Sequence, residues 1–179
     1  MISPQDIINF WFCEVGPERW FVSDESLDKT IKDKFLEILD AAVDDAFRAW
    51  EDTPEGTLAL LLLLDIFPRH MFRGTARMYE TDGFALDLAR QAIIRHFDDR
   101  IDRTFKLFFY LPFTHSEEEG DHRLATYYVR ERTKEAKWVD YVIERQTIVN
   151  CFGRFPHRNK ILGRESTPEE EEYLREKNK

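Results

Sequence analysis

The sequence has few of the residues that interrupt or cross-link a chain. Its 179 residues include two cysteines, seven glycines and seven prolines. Two cysteines, Cys13 and Cys151, argue against a disulfide framework and favour a reducing cytoplasm, where both are expected as small buried apolar side chains. The scarcity of glycine and proline leaves little room for linkers. We therefore expect one domain, residues 1–179, in which 166–179 form a short terminal helix and a loose tail.

Three further absences restrict the location and partners of the protein: a membrane-length apolar run, a signal-peptide pattern and a net positive charge. The longest uninterrupted apolar run, residues 58–64, is far shorter than the ~20 residues of a membrane helix. The opening Met-Ile-Ser-Pro-Gln-Asp does not resemble a signal peptide. The formal net charge of −9 argues against whole-surface binding to phosphates of nucleic acid. We expect neither a membrane nor a nucleic-acid partner, and a monomer or weak homodimer.

Helix starts and apolar periodicity recur along the whole chain. Ser3-Pro4, Thr53-Pro54 and Thr167-Pro168 each place a capping hydroxyl before a proline at the first helical position. Apolar residues recur at three- and four-residue steps, whereas period-two alternation is absent. The predicted helices span about residues 4–12, 24–50, 54–67, 81–96, 102–111, 117–132, 136–152 and 168 onward. Pro68 and Pro112 are expected to end the third and fifth helices.

This pattern predicts an all-α domain of about eight helices. Short connections favour antiparallel pairs, stacked either as a compact bundle or as a superhelical array. The third predicted helix is apolar on every side over residues 58–64, so it should lie at the centre of the domain.

Two short segments carry a local excess of positive charge within this acidic chain. The first basic segment, residues 65–77, and the second, residues 151–164, together hold seven Lys or Arg and one acid, Asp65. Guanidinium groups bind carboxylate or phosphate through two parallel hydrogen bonds. The candidate binding residues are Asp65, Arg69, Arg73, Glu117, Arg154, Arg158 and Asn159, and the four arginines among them are the candidates to converge on an anion. Alternatively, the arginines pair with Asp65, the 117–119 glutamates and carbonyls at helix ends.

His115 follows an aromatic helix and precedes a run of glutamates, so it is a candidate acid or base. In this hypothesis Glu117 or Glu118 holds the imidazole, which faces His157. The alternative is a histidine that packs over a helix start, and Ser116 is interpreted as a cap rather than a nucleophile. The Glu119/His122 spacing lacks the second pair that a di-iron site needs. We expect no metal and no cofactor.

Several longer stretches of the sequence resemble an uncharacterised bacterial family. They are LLLLDIFPRHMFRGTAR, LPFTHSEEE, FGRFPHRNKILGRESTPEE, the opening IINFWF and the pair Trp20-Phe21. The resemblance spans nearly the whole chain and implies an all-helical, tetratricopeptide-like fold, without an established activity. This chain has Ile66, His70 and His122 where that family more often has Gln, Asn and Gln.

Two functions of different classes follow from these features. The first is a helical binding module that presents a basic groove to an acidic peptide or protein. The alternative is a small-molecule site, or an enzyme acting on a small anionic metabolite with histidine and glutamate acid-base chemistry. Both depend on the two basic segments lying near His115. On either hypothesis, Arg154→Ala should abolish ligand binding with little loss of stability.

Overall fold

The helices begin largely where the capping residues predict. A computed structural model describes residues 2–177 and contains no strand within them. Its helices are α1 (Pro4–Asn9), α2 (Glu25–Val43), α3 (Pro54–Leu61), α4 (Phe67–Met71), α5 (Asp82–Ile94), α6 (Leu107–His115), α7 (Glu119–Tyr128), α8 (Ala136–Phe152) and α9 (Pro168–Lys177). The side chains of Ser3 and Thr53 accept hydrogen bonds from backbone amides at the starts of α1 and α3. The fold is therefore all-α and forms one compact domain, as predicted.

The helix that begins at Pro54 occupies the centre of the domain. Its residues 58–64 are all buried, and α3 packs against α1, α5 and α6. One large apolar cluster extends from α1 to α8, and a small second cluster surrounds Phe155 near α9. Burial on all sides explains the uniformly apolar sequence of this helix.

The prediction that Pro68 ends the central helix is wrong. The helix runs on from α3 through a π-helical segment, Leu62–Ile66, into α4. Pro68 has no amide proton to donate to the carbonyl of Leu64. The hydroxyl of Thr81 donates a 2.5 Å hydrogen bond to that carbonyl instead. The wider π-helical turn and this substitute donor allow the proline to remain inside the helix.

Other predicted boundaries also differ from the structure. Contrary to the prediction, Pro112 does not end a helix but lies inside α6. This helix is buried along its whole length, so its packing outweighs the tendency of proline to break a helix. The second helix ends at Val43 rather than near Trp50, because Asp45 adopts a left-handed conformation with φ of 63°. Glu118 rather than Ser116 stands at the N-cap of α7.

The end of the chain is better anchored than the sequence suggested. Predicted helix α9 is present, and Glu170 is buried against Arg154 and Asn159. The last two residues of the predicted loose tail, like Met1, lie outside the described residues. Cys13 and Cys151 are exposed, so their expected burial is wrong. Within residues 2–177, no helix is both long and apolar enough to cross a membrane.

Candidate anion-binding site

The two basic segments contribute side chains to the same cavity as His115. The cavity has a volume of about 330 Å³ and lies between α4, the end of α6 and the middle of α8. Its polar lining consists of Arg69, His70, Arg73, Tyr79, His115, Tyr141, Arg145, His157 and Arg158. The apolar wall includes Trp20 and Phe21. The structure thus brings together residues that are far apart in sequence.

Asp65 links the central helix to His115. It lies in the π-helical segment and is 1% exposed. Its Oδ1 is 2.7 Å from Nδ1 of His115 and 3.2 Å from Nη2 of Arg69. The predicted glutamate partner of His115 is therefore wrong, since a buried aspartate fifty residues earlier in the chain holds the imidazole.

A second carboxylate joins the two basic segments. Asp82, the first residue of α5, accepts a 2.8 Å hydrogen bond from Arg69. Its other oxygen is 3.7 Å from Nη1 of Arg158. Arg158 also donates a 2.9 Å hydrogen bond to the carbonyl of His115, and its guanidinium lies over the ring of Tyr79. One buried ionic cluster therefore fixes α4, α5, α6 and the segment after α8 relative to one another.

Burial and neighbouring charges shift the acidity of these groups. Burial raises the pKa of Asp65 to about 6, against the opposing effect of Arg69. Burial, together with Arg69 and Arg145, lowers the pKa of His115 well below 6.5. Burial also lowers the pKa of Arg158 to about 10, with Arg69 acting in the same direction. His115 is consequently neutral at pH 7, and Nδ1 carries the proton that it donates to Asp65.

His157 lies exposed at the rim of the cavity and does not contact Asp65. Partial loss of surrounding water, together with Arg145 and Arg158, lowers its pKa to about 4. Its imidazole packs beside the ring of Phe155. The second predicted catalytic histidine is therefore also a neutral group at pH 7.

Arg145 is a site residue that the sequence analysis missed. It extends from α8 into the cavity, and its guanidinium carbon is 4.2 Å from the ring centroid of Phe155. Its Nε makes one long hydrogen bond, 3.5 Å, to the carbonyl of Thr114. Within residues 2–177 no carboxylate pairs with it. The sequence did contain a signal for this position. Arg145 lies four residues after Tyr141 and four before the buried Val149, so all three side chains lie on the same face of α8.

The charges that line the cavity do not cancel. Arg69 and Arg158 share the carboxylates of Asp65 and Asp82, and Arg73 makes a bidentate pair with Asp28. Four guanidinium groups thus face three carboxylates within the described part of the chain. Because His70, His115 and His157 all have lowered pKa values, they add no charge at pH 7. One positive charge remains, at Arg145.

The other predicted binding residues lie outside the cavity lining. Arg154 and Asn159 both donate to Glu170 of α9. Glu117 accepts two hydrogen bonds from Arg164 and one from the amide of Phe155. Glu118 is exposed, and within the described residues its carboxylate makes no hydrogen bond to His115 or His157. Arg154, Asn159 and Glu117 hold the C-terminal segment against the rest of the domain. Arg154 and Asn159 were predicted to bind a ligand because they lie next to His157 and Arg158 in the sequence, but their contacts do not support that role.

A larger cavity of about 450 Å³ shares Trp20 with the first. Its wall combines aromatic rings, among them Phe12 and Trp138, with Arg103, Glu135 and Lys137, and no histidine of the described residues lines it. Among residues 2–177, no group of three His, Cys, Asp or Glu side chains is placed to hold a metal ion. The smaller cavity is therefore the one that combines arginines with histidines.

The fold and site define an all-helical, single-domain protein with a basic cavity around a buried Asp–His pair. A family model described as a bacterial protein of unknown function, DUF924, matches residues 7–178, so the chain belongs to this family. The solved structure of ATU0120, a protein of unknown function from Agrobacterium tumefaciens, is 42% identical. The match covers 97% of each chain with a TM-score of 0.92. No curated protein matches the chain.

Proposed function

We propose that this protein binds a small organic monoanion, with an aromatic or apolar body, in the cavity beside Arg145. The observation that carries the proposal is that, of the four guanidinium groups lining the cavity, Arg145 alone has no carboxylate partner within residues 2–177. A partly buried charge without a counter-ion is costly, and a bound carboxylate would neutralise it through two hydrogen bonds. Trp20, Phe21 and Tyr141 provide flat surfaces for the rest of the ligand.

The size of the cavity favours a small molecule over an extended peptide. A volume of about 330 Å³ lies at the lower end of the range for small-molecule pockets. An acidic peptide groove would need a row of exposed cations. However, Arg69 and Arg158 are buried or nearly so and are already paired with carboxylates. The charge count also favours a monoanion over a phosphate dianion.

Isothermal titration calorimetry with a matched pair of ligands tests this proposal. Benzoate and phenylacetate should bind, whereas benzyl alcohol, which lacks the charge, should not. Arg145→Gln should weaken benzoate binding about tenfold or more, because it removes a charge-assisted hydrogen-bonding group. Arg123→Gln is the control, since Arg123 is exposed and pairs with Glu119 on the surface of α7. Equal affinity in the wild type and Arg145→Gln would refute the proposal.

We propose two further features beside this site: the tetratricopeptide-like arrangement that the family resemblance implies, and the reducing location that the cysteines favour. Sequential packing of α5 on α6, α6 on α7 and α7 on α8 supports a tetratricopeptide-like arrangement of helices. The exposed thiols of Cys13 and Cys151 support a reducing location such as the cytoplasm.

A further inference from the structure

The imidazole of His115 has the orientation that a general base requires. Its Nδ1 donates to Oδ1 of Asp65 at 2.7 Å, which fixes the tautomer with a lone pair on Nε2. Within the described residues, Nε2 makes no hydrogen bond to the protein, and His115 lines the cavity. A fixed imidazole with its second nitrogen free and facing a cavity is the arrangement expected of a proton acceptor.

The cavity wall offers no side chain for covalent catalysis next to His115. Among the described residues that line it, none is Ser, Thr or Cys. A proton removed by His115 must therefore come from water or from the ligand. Its lowered pKa makes His115 a weak base, unsuited to removing a proton from carbon. Such a base can take a proton from a water molecule, because the water becomes more acidic as its oxygen bonds to a carbonyl carbon.

A second cationic group, separate from the one that binds the carboxylate, lies beside His115. Arg158 lines the same cavity, donates a 2.9 Å hydrogen bond to the carbonyl of His115 and influences the acidity of the imidazole through its charge. Guanidinium groups fixed before the reaction stabilise an oxyanion more effectively than mobile water does. The buried carboxylate of Asp65 would likewise stabilise the imidazolium that forms transiently.

We propose that His115 is the general base of an esterase whose substrate carries a carboxylate, bound at Arg145, and a carboxylic ester. Water attacks the acyl carbon while Nε2 of His115 takes one of its protons, and the new carbon–oxygen bond gives a tetrahedral oxyanion. The bond from carbon to the leaving oxygen then breaks, and this oxygen takes the proton from Nε2. One water is consumed, and an acid and an alcohol are released. This inference rests on the proposed anion site.

Diethylpyrocarbonate provides a test that needs no substrate. It acylates neutral imidazoles, so mass spectrometry should find His115 modified at pH 6.5, where an ordinary imidazole is about half protonated and Asp65 is still mainly ionised. The exposed side chain of His96 is the internal reference. If the anion site exists, benzoate should slow modification of His115 and leave that of His96 unchanged. An unreactive His115 would overturn the inference.

Hydrolysis of mono-4-nitrophenyl glutarate, compared with neutral 4-nitrophenyl butyrate, tests the activity directly. His115→Gln should lower kcat by at least about a hundredfold, as loss of a general base does. Asp65→Asn should lower kcat with little change in KM, because Asp65 positions His115 without touching substrate. Arg145→Gln should raise KM for the anionic ester alone, whereas Arg123→Gln should change neither constant. Acylation of the wild type should abolish hydrolysis in proportion to the modification of His115, rather than to that of His157 at the cavity rim, and hydroxylamine should restore it, whether or not the variants fold.

The results separate this inference from the proposed function. Binding of benzoate through Arg145 without hydrolysis of the glutarate ester would refute the esterase and leave the anion site intact. Hydrolysis that survives both His115→Gln and acylation of His115 would also refute the role of His115. If neither benzoate nor the ester binds, both proposals fail.

Discussion

Nδ1 of His115 and Oδ1 of Asp65 lie 2.7 Å apart, although fifty residues separate them along the chain. Asp65 reaches this position from a π-helical turn, and His115 is the last residue of α6. Both side chains are buried, with exposed fractions of 1% and 6%. The pair therefore has one geometry, set by the packing of the central helix against α6, rather than by a flexible surface contact.

This geometry predicts the tautomer and the titration of His115. At pH 7 the ring should carry its proton on Nδ1, and it should stay neutral as the pH falls well below 6.5, because burial and three arginines oppose a second proton. Nitrogen-15 NMR of labelled protein measures both properties. Nitrogen-15 chemical shifts of His115 that titrate with a midpoint near pH 6.5 would contradict this expectation.

The hydroxyl of Thr81 should contribute measurably to stability, since it is a hydrogen-bond donor to the carbonyl that Pro68 leaves free. Thr81→Val keeps the shape of the side chain and removes that donor from a buried carbonyl. The free energy of unfolding should fall by about 1–3 kcal/mol. Thr147→Val is the matched control, because the Thr147 hydroxyl donates to a helix carbonyl on the exposed side of α8. Urea denaturation measures both losses of unfolding free energy. Equal losses in Thr81→Val and Thr147→Val would show that the hydroxyl of Thr81 has no special role.

His122 should make the protein sensitive to acid. It is fully buried, burial lowers its pKa, and its Nε2 donates to the carbonyl of Ser116. Below pH 6.5 the unfolded chain binds a proton at this residue that the folded protein does not, so stability falls as the pH falls. His122→Gln keeps a donor and removes the titrating group.

The effect of His122→Gln should therefore depend on pH. Near pH 7 its stability should resemble that of the wild type. Towards pH 5 the variant should become the more stable, by at most about 1.4 kcal/mol per pH unit below 6.5. Urea denaturation at a series of pH values measures the difference. Parallel pH profiles for the two proteins would argue against a neutral His122.

Local signals in the sequence predicted most helix starts, because capping residues act over one turn. Ser3, Thr53 and Thr167 each precede a proline at a helix start, and the apolar run after Thr53 identified the central helix. The effects of Pro68 and Pro112 were not predictable in the same way. Whether a proline ends a helix depends on a donor such as Thr81 and on burial, and neither is visible in local sequence.

The site was only partly predictable for a similar reason. Clustered charge in the sequence identified Arg69 and Arg158, which do line the cavity. Arg145 and Asp82 were missed, because an arginine in a helix and an acid at a helix start have ordinary explanations. Asp65 was noted as a possible partner of arginine, yet its contact with His115 depends on the packing of two helices distant in sequence.

Arg154 should anchor α9 rather than bind a ligand, contrary to the expectation from sequence. Its guanidinium makes a bidentate pair with Glu170 at 2.7 and 2.8 Å, and this contact lowers the pKa of Glu170 to about 2. Arg154→Ala should speed hydrogen exchange of the α9 amides and leave benzoate binding unchanged.

Acid should have the same local effect on the wild type. A carboxylate with a lowered pKa stabilises the fold above its ordinary value of 4.5, and this contribution disappears as the pH falls towards 2. Protection of the α9 amides from hydrogen exchange should therefore fall between pH 4.5 and about 2 in the wild type and change less in Arg154→Ala. Lost benzoate binding with unchanged exchange in α9 would instead return Arg154 to the anion site.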